Sequence, residues 1–144
     1  MTSKPRITKT FLRFPLTAVI LLTLSTISIA ELPPSVYQEW QAKAPDFLMI
    51  KVRSIKTAET DEPRLVRVAV SLEAQIEQVR RSQSSLKAGD VITIKYEHRK
   101  YKEPMVGPSE VPILKEGQSY PAYLKKGPEG FEPAASGYSF REMK

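Results

Sequence analysis

Hydrophobic and polar positions alternate along most of this chain, a pattern that predicts strands and a mostly β protein. The clearest run is RLVRVAVSLEAQIEQVRRS, residues 64–82, in which Val66, Val68, Val70, Leu72, Ala74 and Ile76 recur at strict period two. Side chains two apart share one face of a strand, so this run predicts one long strand with a single apolar face. The alternation slips at Val79, which predicts a bulge near Gln78. A second pattern competes in the same residues. Ala69, Leu72, Ile76, Val79 and Leu86 also fit a helical stripe and EAQIEQ consists of helix formers, so a helix over about 71–83, giving an α+β fold, is the alternative.

The flanking segments extend the β pattern. In DFLMIKVRSIKT, residues 46–57, Leu48, Ile50 and Val52 alternate with Lys51 and Arg53. AETDEP, residues 58–63, reads as a solvated connection, because Glu59, Asp61 and Glu62 lack the spacing of a calcium loop. Gly89 and Asp90 turn the chain into VITIKYEH, a strand running to about His98. Pro104, Pro108 and Pro112, with Gly107 and Gly117, forbid a helix and predict an irregular crossing over residues 99–119. SYPAYL, residues 119–124, is a short strand that Pro121 assigns to an edge or a bulge, since proline cannot donate to a ladder.

LPPSVYQEWQAKAP, residues 32–45, predicts a short helix over 33–43, with prolines at its start and Pro45 after its end. Leu32, Val36, Trp40 and Ala44 form the expected buried stripe, with Trp40 as a packing anchor. At the other end, Phe131, Tyr138 and Phe140 sit among small residues and read as a tail covering one end of the fold.

Residues 1–30 do not belong to this pattern. Lys4, Arg6, Lys9 and Arg13 precede an apolar run, and Ser28 and Ala30 stand at the small-residue positions of a processing site. This is the signature of a signal peptide, and the run is too short to predict a bilayer crossing. The expectation is an exported protein, periplasmic or secreted, in which residues 31–144 form one domain after cleavage near Ala30. Membrane contact is then expected only through the leader before cleavage. Processing also changes the electrostatics. The formal charge of +6 includes four leader cations, leaving 18 basic against 16 acidic residues. A global basic bias toward nucleic acid or an anionic surface disappears. The chain has no cysteine, which excludes disulfides, thiolate metal sites, a cysteine nucleophile and a lipoprotein anchor.

The order of these segments resembles netrin-like modules, the OB-fold barrels found in tissue inhibitors of metalloproteinases and related secreted domains. The resemblance rests on RVAVSLEAQIEQVRRS, on Leu86, Lys87, Gly89 and Asp90 before VITIKY, and on Gly117, Tyr120, Ala122, Tyr123 and Leu124. It covers residues 46–134 and implies a five-stranded, partly open barrel with a short N-terminal helix, whose face and loops bind polymers or proteins. Those inhibitors chelate the protease metal through an N-terminal cysteine, which this chain lacks, so that activity is not implied.

No catalytic constellation is visible. His98 is the single histidine, Glu97 beside it points to the opposite strand face, and GQSYP and GYSFR both lack the second glycine of a nucleophile elbow. No cofactor or metal is implied. The remaining candidate is EHRKYKE, residues 97–103. Arg99, Lys100 and Lys102 are placed on the loop leaving the strand, Tyr96 and Tyr101 interleave with them, and Arg80 and Arg81 are candidates for neighbouring strand surface. Cations and aromatics on a barrel of this type hold anionic chains, while the bland reading is a solvated hairpin tip guarding a strand edge. The function expected is a non-enzymatic binding or adaptor module of the cell envelope or exterior. Its partner would be a protein or an anionic polymer such as glycan or lipid headgroup, with nucleic acid disfavoured. A hydrolase with a carboxylate site and a structural subunit of an envelope assembly are the alternatives.

Overall fold

The computed structural model describes residues 31–143, and the expected leader lies outside them. Helix α1 (Pro34–Lys43) is followed by five strands: β1 (Asp46–Asp61), β2 (Leu65–Ser82), β3 (Val91–Tyr101), β4 (Ser119–Gly127) and β5 (Gly130–Pro133). A 3₁₀ turn (Ser136–Tyr138) comes last. The strands close into a barrel in the order β1-β2-β3-β5-β4, an OB-like five-stranded barrel with one short helix.

β2 is a strand along its whole length, so the helical alternative for residues 71–83 is overturned. The reason lies in the burial. Val68, Val70, Leu72, Ala74 and Ile76 are all at most 3% exposed, while β1 and β3 pair with β2 from either side. Period two and two hydrogen-bonded neighbours outweigh the weak helix preference of EAQIEQ. The expected bulge is present, since the β1–β2 register skips Glu77, and a second skip leaves out Arg80. These extra residues bend β2 toward barrel closure.

The core draws on every strand: Leu48, Ile50 and Val52 from β1, Ile92 and Ile94 from β3, Ala122 and Leu124 from β4, and Phe131 from β5 join the β2 face. Each fully buried aliphatic side chain contributes about 1.5–3 kcal/mol relative to exposure. The β3–β5 closure is parallel and consists of one residue pair, Ile94 with Phe131. Gly130 makes that approach feasible: it has φ +121°, and a Cβ there would lie 2.6 Å from the Thr93 carbonyl oxygen.

Three expectations need correction. β1 continues through residues 58–61, read above as a connection, and β3 runs to Tyr101 rather than ending near His98. Together with β2 they form a three-stranded extension beyond the closed barrel, because β4 accompanies β1 only as far as Lys51. The helix buries Tyr37, Gln41 and Ala44, not the Leu32–Val36 side of the expected stripe. Trp40 does pack, half-buried, against Ala44, Tyr123 and Ala135. Pro121 sits opposite Met49 on β1. The ladder alternation turns its nitrogen away from β1, the same side to which the Tyr123 amide donates to Ser139 O at 2.8 Å. β5 joins β4 only from Leu124 onward, so the missing donor costs no strand hydrogen bond.

Candidate binding cleft

The segment between β3 and β4 turns back along β3 and leaves a cleft of about 720 Å³ between them. Its position follows from a few anchors. Tyr37, fully buried on α1, accepts a hydrogen bond from the Ser109 amide at 2.9 Å. The Ser109 carbonyl accepts from Gly137 N and Ser136 Oγ, both at 2.8 Å. Further along, the Val111 carbonyl accepts from His98 Nδ1 and the Pro112 carbonyl from the Tyr96 hydroxyl, both at 2.8 Å. The single histidine is therefore a fastener of this segment.

Alternation along β3 divides EHRKYKE between two environments. Glu97, Arg99 and Tyr101 share one side of the strand and line the cleft. Glu97 accepts from Arg67 Nη1 on β2 at 3.0 Å and from Arg99 Nε at 3.0 Å, and Arg67 also pairs with Glu62. Partial burial works to raise the Glu97 pKa, but the bonds from Arg99 and Arg67 outweigh it and hold the carboxyl below its usual range. Tyr101 and Glu97 together raise the pKa of the Arg99 guanidinium. Lys100 and Lys102 lie outside the cleft. They pair with acids of the outer strand, Lys100 with Glu59 at 3.0 Å and Lys102 with Asp61. Tyr96 packs against the core and Phe140, and burial pushes its phenol up to about 12.

Arg80 and Arg81 do not join them. They stand at the far end of β2 from Arg67, the residue opposite Arg99, a path of roughly 45 Å at ~3.3 Å per residue. Arg81 has a structural task, donating to the Ala44 carbonyl at 3.0 Å and the Gln41 carbonyl at 2.8 Å, where the last turn of α1 leaves acceptors free. Arg80 is the exposed residue of a bulge. The expected basic surface is therefore not assembled. Residues 55–67 and 97–110, which form this end of the sheet, carry as many acids as cations.

The sequence pattern does not predict the opposite wall of the cleft. Met105 and Val106 are 65% and 60% exposed, the most exposed large apolar side chains among the described residues. Glu110 accepts from the Arg99 amide at 3.3 Å, and Glu31 also lines the cleft. A proline-punctuated run without periodicity says that the chain is irregular, but not that it returns along β3. Among the described residues no group of acids and histidine is gathered for a metal, and no helix is long and apolar enough to cross a membrane. The C-terminal aromatics Phe131 and Phe140 are buried as packing. No family model, curated protein or solved structure matches this chain.

Proposed function

We propose that this protein is an exported, non-enzymatic binding module that recognises a protein through the cleft beside β3. The observation that carries this reading is the combination of matched charge and exposed apolar surface. Arg99, Lys100 and Lys102 each face an acid, while Met105 and Val106 stand uncovered at the rim. An anionic polymer needs a field of unmatched cations, whereas protein interfaces combine apolar contacts with mixed polar groups. Export rests on the leader pattern of residues 1–30, and netrin-like kinship on Leu86, Lys87, Gly89 and Asp90 before the third strand.

The test is capture from envelope and secreted extract with the processed protein at two salt concentrations, beside two variants. Substitution of Met105→Ser with Val106→Ser is expected to lose the partner. Substitution of Lys100→Glu with Lys102→Glu is expected to retain it. A ligand lost only from the charge-reversed protein, and weakened by salt in the wild type, would replace this reading with recognition of an anionic polymer.

A further inference from the structure

The wall of the cleft formed by β3 is a strand edge. The Arg67–Arg99 pair belongs to the non-hydrogen-bonded set of the β2–β3 ladder, as the Lys102 amide bond to Arg64 O and the outward Arg99 amide both require. The same alternation turns the amides and carbonyls of Glu97 and Tyr101 away from β2. β5 meets β3 only at Ile94, so no strand flanks this stretch among the described residues. The loop wall supplies no backbone partner to it either: the Glu110 carboxylate, at 3.3 Å from the Arg99 nitrogen, stands where the carbonyl of a neighbouring strand would.

The electrostatics of the cleft have a sign. Glu97 is shared by Arg67 and Arg99, whereas Glu110 forms no ion pair among the described residues and leaves an unmatched negative charge on the loop side. We propose that an extended, basic peptide segment of the protein partner adds as a strand to the Glu97–Tyr101 edge, displacing Glu110 from the Arg99 amide. Main-chain bonding to residues 97, 99 and 101 supplies the register. Alternate side chains then reach Glu110 on the loop side and the exposed Met105–Val106 rim. Strand addition rests on the protein-binding reading above and narrows it to one mode.

The experiment is an amide-resolved NMR titration of the purified protein with three seven-residue probes. The first alternates lysine and valine, the second is the same peptide N-methylated at alternate residues, and the third alternates glutamate and valine. The first probe is expected to shift the Glu97, Arg99 and Tyr101 amides saturably. N-methylation, which removes main-chain donors, is expected to weaken it about tenfold or more. The acidic probe is expected to bind comparably weakly, and Glu110→Lys is expected to reverse the preference between the two charged probes. Equal affinity for the methylated and unmethylated probes overturns strand addition while leaving protein recognition standing. So does a capture that depends on Met105 and Val106 when the lysine–valine probe leaves residues 97–101 unmoved. A capture lost only on reversal of Lys100 and Lys102 would remove the protein-binding reading itself, a result the titration cannot mimic.

Discussion

Tyr96 shows how one half-buried group couples this fold to pH. Its ring lies against the core and its hydroxyl donates to the Pro112 carbonyl, so ionisation would place a charge where water is scarce. The folded pKa of about 12 exceeds the ordinary value of 10.0. The folded protein therefore holds the proton more tightly than the unfolded chain between those values, and stability falls as pH rises from about 10 to about 12. Urea midpoints measured across that window are expected to decline more steeply for the wild type than for Tyr96→Phe. A parallel decline in both proteins would remove Tyr96 as the cause. His98, by contrast, holds Val111 through a ring nitrogen, and the task of the single histidine is visible only once the loop is seen to return.

At the scale of elements, one carboxylate ties the start of β1 to the end of β2. Asp46 is fully buried and accepts from Ser82 Oγ at 2.7 Å, Ser84 Oγ at 2.7 Å and Ser84 N at 3.1 Å, tying the first residue of β1 to the chain leaving β2. Removing the acceptor strands these donors, so Asp46→Ala is expected to cost about 2–4 kcal/mol, seen as a lower urea midpoint at unchanged slope. Ser82→Ala, which removes one donor and leaves the carboxylate two others, is expected to cost less.

Strands were legible where burial imposes alternation. The Val68–Ile76 face announced β2, and the slip at Val79 announced its bulge. The outer halves of β1 and β3 were illegible for the converse reason. ETD and RKY carry no apolar alternation and are strand only because β2 holds them between neighbours, which is pairing rather than propensity. The helix misled through its spacing: Leu32–Val36–Trp40–Ala44 and Tyr37–Gln41–Ala44 both recur with helical period and share Ala44, and only the contact of Tyr37 with Ser109 and Tyr138 chooses between them. The cleft was half legible. The sequence marks Arg99 and Tyr101, but parity along β3 separates them from Lys100, and nothing in a run of prolines places Met105 and Glu110 opposite.

At the scale of the whole molecule, the barrel is asymmetric in how it is held. β1 and β2 share fifteen paired positions, whereas β3 meets β5 at one. Gly130 controls that one. Both its positive φ and the proximity of Thr93 O oppose any side chain, so Gly130→Ala is expected to loosen the barrel as well as lower its stability. Hydrogen exchange checks this directly: amides of β5 should exchange faster in the variant while those of the β1–β2 ladder, relative to global unfolding, keep their protection. Uniform acceleration would mean that the glycine matters only to global stability.

The one-pair seam has a further consequence in time. A cylinder fastened along most of its circumference and pinned at one point is expected to open first at the pin, where β3 meets β5 in the single Ile94–Phe131 pair. The 3₁₀ turn after β5 carries Ser136 and Gly137, which hold Ser109. An opening of the seam would therefore be felt at Ser109, a residue lining the cleft, through the two bonds that Ser136 and Gly137 make to its carbonyl.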